Sequence, residues 1–124
     1  MSAVNGSQMI LVAGPYRSGT GGDPAKIETN VQAMTEVSLR QFRVGHLPVM
    51  GEWFALPLIE HDARSEQRAD VDDEVLHPVA ERVLARCDAC LRIGGPSEGA
   101  DRMVETARRL GKVVYSDIAE ISAA

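Results

Sequence analysis

The sequence has few cysteines, few aromatic residues and no excess of basic residues. Two cysteines stand among 124 residues, and Phe, Trp and Tyr together make up 4% of the chain. So few aromatic rings exclude the stacking platforms that track single-stranded nucleic acid. The 13 basic and 18 acidic residues give a formal net charge of -5, so the molecule as a whole repels nucleic acids and anionic membranes. We therefore predict no nucleic-acid partner and no membrane partner.

Long hydrophobic runs are also missing. No apolar run approaches the roughly 20 residues of a membrane-spanning helix, and the N-terminus lacks the basic and then apolar pattern of a leader. We therefore expect a cytoplasmic protein. With 44% hydrophobic residues, the length suits a single domain over residues 1–124. Such a domain buries about two thirds of its unfolded surface, so we expect no disulfide, metal or cofactor to be needed.

The two cysteines are spaced as Cys87-x-x-Cys90. A structural zinc site needs four ligands, and the sequence has no second pair to complete one. A redox-active pair lies where a strand gives way to a helix, which lowers one thiol pKa, whereas this pair stands between a predicted helix and a predicted strand. We therefore interpret both residues as buried, apolar-like thiols.

Short apolar runs alternate with helical patterns along the chain. The runs that predict buried strands are residues 9–13, 47–50, 89–93 and 113–115. Helical patterns cover residues 26–44, 52–59, 75–87 and 100–110, with a polar loop at 60–74 and a short C-terminal helix. This alternation predicts an α/β, doubly wound, flavodoxin/Rossmann-like parallel sheet of four to five strands with helices on both faces. Pro48 favours an edge position for the second strand.

Glycine-rich loops follow the first and third strands, where such sheets bind their ligands. In the first loop the Arg17 guanidinium can bind a phosphate or carboxylate, although the loop alone fits a solvated surface segment equally well. Thr20 stands where a P-loop requires lysine, which argues against triphosphate chemistry. In the second loop Ser97 can cap the next helix or donate to a bound anion. Together the two loops suggest a small anionic ligand such as a nucleotide.

Several segments together resemble the nucleoside 2-deoxyribosyltransferase-like proteins, a group that includes N-glycosidases of nucleoside 5′-monophosphates. The segments are Ile10 to Arg17, Gly45 to Val49, Cys87 to Ile93, Ser97 to Asp101 and Ala107 to Tyr115. The resemblance covers nearly the whole chain and is weakest at 60–74. It implies a doubly wound fold, a nucleoside or nucleotide as ligand, and cleavage or transfer of the N-glycosidic bond through a carboxylate nucleophile. Relatives form homo-oligomers, which implies a homodimer.

The resemblance also implies roles for particular residues. Arg17 and its loop, with Gly14, Pro15 and Tyr16, resemble the part that contacts the sugar or 5′-phosphate. Ser97 resembles a residue that holds the phosphate or sugar, and Gly99 permits close approach of the backbone. Glu52 and the acidic cluster at 70–74 are further candidates for ligand contact, with a solvated rim as the alternative.

Two positions at which the family carries carboxylates hold other residues here. The nucleophile position, one turn into the fourth helix, holds Met103, whose thioether cannot form a glycosyl ester. The second position holds Ala80. Glu98 and Asp101 lie nearer the predicted pocket, at different offsets, and are the remaining candidates for a catalytic carboxylate.

Asp72, Asp73 or Glu81 could compensate for the alanine at position 80. The sequence therefore leaves two hypotheses open. One is an N-glycosidase or deoxyribosyltransferase-like enzyme with a relocated carboxylate. The other is a nucleotide-binding or sensing module that does not cleave its ligand.

Overall fold

The computed structural model of the protein describes residues 6–66 and 75–124. Within these ranges four strands alternate with four α-helices, and a short 3-10 helix follows the last strand. The elements are β1 (Met9–Ala13), α1 (Pro24–Arg43), β2 (Leu47–Val49), α2 (Gly51–Glu66), α3 (His77–Ala85), β3 (Ala89–Arg92), α4 (Glu98–Arg109), β4 (Val113–Tyr115) and the 3-10 helix Ile118–Glu120.

The strands form one parallel sheet with the order β2-β1-β3-β4. Leu11 of β1 lies opposite Val49 of β2 on one side and Cys90 of β3 on the other. This is the order of the first four strands in flavodoxin-like sheets, in which the winding reverses between β1 and β3. The predicted α/β doubly wound fold is confirmed, and so is the edge position of the strand that contains Pro48.

Helices cover both faces of the sheet. Side chains alternate between the two faces along a strand, and on β1 Leu11 belongs to the cluster that includes Leu84 of α3 and Ala107 of α4. The next residue, Val12, packs with Met34 of α1 on the opposite face. Helix α1 therefore covers one face, and α3 and α4 cover the other.

Helix α1 begins and ends at the residues that the sequence indicates. Asp23 caps it by accepting a hydrogen bond from the Ala25 N–H at 3.0 Å, and Pro24 occupies the first turn, where no N–H is needed. At the other end Gly45 has a φ of +101°, a conformation that side chains disfavour.

Helix α2 is longer than expected. It continues to Glu66, so the predicted loop is wrong over residues 60–66, and residues 67–74 lie outside the described chain. The buried side chains of Ala55 and Ile59 anchor the helix against Leu76. The residues beyond Ile59 include good helix formers such as glutamate, alanine and arginine, so the helix continues although the apolar periodicity is lost.

Both cysteines are buried and free. Burial raises the pKa of the Cys87 thiol to about 11 and that of the Cys90 thiol to about 12. Cys87 Sγ donates to the Val83 carbonyl at 3.3 Å. Both thiols are therefore protonated at neutral pH, which confirms the interpretation of a buried, apolar-like pair.

No helix in the described ranges has both the length and the apolar character that crossing a membrane requires.

Candidate functional site

A cavity of about 220 Å³ lies at the carboxyl end of the sheet. Its walls come from the end of β1 and the loop after it, and from the first turns of α2, α3 and α4. In doubly wound sheets this edge, where the winding reverses, is where ligands bind. The lining includes Gly14, Tyr16, Arg17, Glu52, Ser97 and Gly99, all of them predicted site residues.

Pro15 is the one predicted substrate-binding residue outside the lining. Its ring supports the loop from behind, since a Cβ at Gly94 would stand 2.6 Å from Pro15 Cδ. The loops after β1 and β3 therefore touch each other beside the cavity.

Gly14 allows the ends of β1 and β3 to approach closely. A Cβ at this position would lie 2.9 Å from Cγ1 of Ile93 and 3.1 Å from its carbonyl oxygen. Contacts this short require glycine or a shift of the neighbouring backbone. Gly14 thus has a structural reason to be glycine that is independent of any ligand.

Side chains hold the loop after β1 in place. Asn30 of α1 donates from Nδ2 to the Tyr16 carbonyl at 2.9 Å, and Thr20 Oγ1 donates to the Arg17 carbonyl at 2.6 Å. The Arg17 guanidinium lies 5.6 Å from the centroid of the Tyr16 ring, within the range of a cation–π contact. The loop is therefore hydrogen-bonded to α1 and to itself, a feature for which the sequence offered no motif.

Two serine hydroxyls meet across the cavity loops. Ser97 is only 6% exposed, and its Oγ accepts the Ala100 N–H at 3.2 Å as the cap of α4. Ser18 Oγ lies 3.1 Å from Ser97 Oγ. The pair carries two hydroxyl protons and shares one of them, so whichever serine donates, one proton has no acceptor among the residues described. That proton and the α4 N-terminus form a group of donors suited to an anion.

Glu52 brings a carboxyl group to the cavity. It lies in the first turn of α2, and burial raises its pKa, while its own backbone N–H acts in the opposite direction. It is the single acidic residue among the lining residues of the described chain. In the same described ranges no other residue hydrogen-bonds to or pairs with its carboxyl group. A partly buried carboxyl group in a cavity, with no donor besides its own backbone N–H among the described residues, is a candidate for ligand contact.

Met103 and Ala80 both line the cavity and are almost fully buried, at 5% and 6% exposure. These are the two positions at which the family resemblance leads us to expect carboxylates. Ala80 also packs directly on Gly51, because a Cβ at Gly51 would lie 2.6 Å from that of Ala80. The walls at both positions are therefore apolar and closely packed.

Glu81, Glu98 and Asp101 are not among the lining residues. Glu98 is exposed at the start of α4, and exposed Asp101 accepts a hydrogen bond from Arg92 Nε at 3.1 Å. Glu81 accepts the Thr106 hydroxyl at 3.0 Å between α3 and α4. The acidic cluster at 70–74, with Asp72 and Asp73, lies outside the described residues.

His77, the first residue of α3, is a lining residue that sequence reasoning missed. Its ring stands close to the α4 N-terminus, where a Cβ at Gly99 would lie 3.0 Å from His77 Cε1. Its one sequence signal is its place next to a helix-starting proline, which carries no chemistry. Within residues 6–66 and 75–124, no group of three His, Cys, Asp or Glu side chains is arranged to hold a metal ion.

No protein-family model and no curated protein matches the sequence. The resemblance to the nucleoside 2-deoxyribosyltransferase-like proteins therefore rests on the motifs alone and stays a prediction. The site itself is a small cavity with hydrogen-bond donors for an anion at the α4 end, a carboxyl group at the start of α2 and apolar walls elsewhere.

Proposed function

We propose that the protein binds a nucleoside or a nucleoside 5′-monophosphate in this cavity, with the anionic or most polar group against Ser97. The observation that carries the proposal is the Ser18–Ser97 hydroxyl pair beside the α4 N-terminus, which has one proton more than the pair itself can accept. Arg17 in the same lining adds a positive charge. A local group of donors of this kind attracts one small anion even on a protein with a net charge of -5.

The size and walls of the cavity support a ligand of this class. Its volume of about 220 Å³ is below the roughly 300–1,000 Å³ of sites that hold drug-sized ligands. A mononucleoside is therefore a better fit than a dinucleotide. Leu11, Leu76 and Met103 provide apolar surface against which a flat base can pack.

The first prediction concerns Ser97→Ala. We expect nucleoside 5′-monophosphates to bind this variant about 10- to 100-fold more weakly than the unaltered protein, because a hydrogen bond to a charged group is lost. Isothermal titration calorimetry with a panel of nucleosides and 5′-monophosphates measures this change.

Ser97→Ala also removes the cap of α4, so it needs a control that loses a cap elsewhere. Asp23→Ala removes the cap of α1, outside the cavity lining. Each variant should lose about 1 kcal/mol of unfolding free energy, but Asp23→Ala should retain the affinity. Absence of binding by the unaltered protein to every member of the panel would refute the proposed function.

Cleavage or transfer of the N-glycosidic bond is a second candidate function, favoured by the carboxyl group of Glu52 in the lining. In this reaction the carboxylate attacks the anomeric carbon and forms an ester with the sugar, and the base leaves with the electrons of the broken bond and takes up a proton from water. Water, or a second base, then releases the sugar from the ester. Chromatography of free base tests it, with Glu52→Gln as the variant and exposed Glu98→Gln as its control. Binding without base release would favour the sensing module.

The outer face of α2 supports the predicted homodimer. Trp53, Phe54 and Leu58 of α2 are 46%, 47% and 54% exposed, and several exposed apolar side chains on one helix favour an interaction site. We expect light scattering to give twice the chain mass of 13.4 kDa and Leu58→Glu to give the monomer. Leu110→Glu, at a similarly exposed leucine after α4, is the control. A dimer that survives Leu58→Glu would place the interface elsewhere.

A further inference from the structure

Glu52 and Ser97 lie on opposite sides of the loop that follows β1. Glu52 lies in the first turn of the helix that follows β2, Ser97 follows β3, and β1 runs between these two strands. Neighbouring strands are about 4.8 Å apart, so β2 and β3 are separated by about 10 Å. The cavity therefore has two chemically different ends: donors at the Ser97 end, and an acceptor group at the Glu52 end.

The carboxyl group of Glu52 receives fewer hydrogen bonds than a partly buried carboxylate can accept. When ionised, a carboxylate is an acceptor only and can take several hydrogen bonds. Within the described ranges no other residue supplies one to Glu52, and burial raises its pKa. Leaving such a group with no donor besides its own backbone N–H costs stability. A ligand that brings O–H or N–H groups to this point would offset the cost.

We propose that Glu52 binds hydrogen-bond donors on the uncharged part of the ligand, at the other end of the cavity from the group held at Ser97. The donors are hydroxyls of the sugar or N–H groups of the base, which share the same chemistry toward a carboxylate. This inference rests on the proposed function, since it assigns the far end of the same ligand. Glu52 is thus a specificity-determining residue of the site.

Binding through ionised Glu52 gives a defined pH dependence. Donors favour the ionised form, so nucleoside affinity should rise as the pH rises through the raised pKa of free Glu52. The other titratable or charged groups in the described lining are Tyr16 and Arg17 from the β1 loop and His77 from α3. An unphosphorylated nucleoside isolates the Glu52 effect.

The test compares the unaltered protein with Glu52→Gln and with the control Glu105→Gln, an exposed residue of α4 outside the lining. Titration calorimetry uses a nucleoside, its 5′-monophosphate and inorganic phosphate as probes. We expect Glu52→Gln to bind the nucleoside and its 5′-monophosphate about 10- to 100-fold more weakly. Its nucleoside affinity should vary less with pH, and its affinity for inorganic phosphate should be unchanged. Glu105→Gln should change none of them.

Two further probes identify the source of the donors. Ribose 5-phosphate retains the sugar hydroxyls and lacks the base, so dependence of its affinity on Glu52 assigns the hydroxyls. If the affinity for ribose 5-phosphate does not depend on Glu52 and the affinity for a 2′-deoxynucleotide does, the donors are on the base. Both results agree with the inference and separate its two chemical sources.

Equal nucleoside affinity for Glu52→Gln and the unaltered protein would overturn the inference, and Ser97→Ala would still report on the proposed function. Failure of the unaltered protein to bind any probe with a base would overturn the proposed function itself. Thermal unfolding checks that the variant folds. Because Glu52 has a raised pKa in the fold, its ionisation destabilises the fold as the pH rises, so Glu52→Gln should be at least as stable above neutral pH. Glu52→Asp, which keeps the charge and shortens the side chain, is the second variant.

Discussion

Met103→Glu is expected to lower the free energy of unfolding by about 3–5 kcal/mol at neutral pH. Met103 is 5% exposed and packs in the cluster that contains Leu11, Leu84 and Val104. A carboxylate there is surrounded by apolar side chains and loses its hydration without gaining a partner in that cluster. This substitution introduces the side chain that the family resemblance expects for the nucleophile.

The loss should depend on pH. Burial would raise the pKa of the new carboxyl above its unfolded value of about 4.3, so the folded state would hold its proton more tightly. Stability should then fall as the pH rises above the unfolded value and recover as the pH is lowered. Urea unfolding at pH 4 and pH 8 measures the difference between the two conditions.

Two control variants separate charge from shape at this position. Met103→Leu keeps the volume and should cost less than about 1.5 kcal/mol. Met103→Gln is polar but uncharged, so its loss should not change with pH. If Met103→Glu matched Met103→Leu at pH 8, position 103 would be open to water, and base release by that variant would then test the resemblance directly.

The sheet and most helix boundaries were predictable because they depend on local chemistry. Buried parallel strands are continuous apolar runs, and Asp23, Pro24 and Gly45 mark helix ends whatever the tertiary structure. Pro48 restricts its strand to an edge for the same local reason. The loops after β1 and β3 then follow from topology, since the carboxyl ends of parallel strands meet at one edge of the sheet.

The partners of the site residues could not be predicted in the same way. The contact of Ser18 with Ser97 joins residues 79 positions apart, and no local pattern encodes it. The place of His77 in the lining depends on where α3 begins relative to α4, which is set by packing. The end of α2 could not be predicted from apolar periodicity, because a helix can keep its backbone hydrogen bonds where that periodicity is lost.

Helix geometry accounts for the carboxylates that lie outside the cavity. Residues at i, i+3 and i+7 share one helix face, and on α4 that face carries Ala100, Met103 and Ala107 in the core cluster. Asp101 is two residues before Met103, a rotation of about 200°, and its carboxyl group accepts a hydrogen bond from Arg92 instead. Once the buried face of α4 is known, the sequence alone places Asp101 outside the cavity.

Ala80→Asp is the other substitution for which we expect a large loss, about 3–5 kcal/mol. Ala80 is 6% exposed, and a Cβ at Gly51 would lie only 2.6 Å from its own Cβ. A longer side chain must therefore push α2 away from α3, and its charge would be buried against apolar neighbours. Urea unfolding measures the loss. Ala80→Ser, which adds one polar atom, should have a stability between those of the unaltered protein and Ala80→Asp.

The matched control is Ala85→Asp, which places the same carboxylate at an exposed position at the end of the same helix. It should cost no more than about 1 kcal/mol, through the unfavourable helix dipole. Because Glu52 follows Gly51 directly, displacement of α2 should also weaken nucleoside binding by Ala80→Asp and leave Ala85→Asp unaffected. If the two variants were equally stable, the Gly51–Ala80 contact would not resist separation of α2 and α3, and packing would not be the reason that this wall lacks a carboxylate.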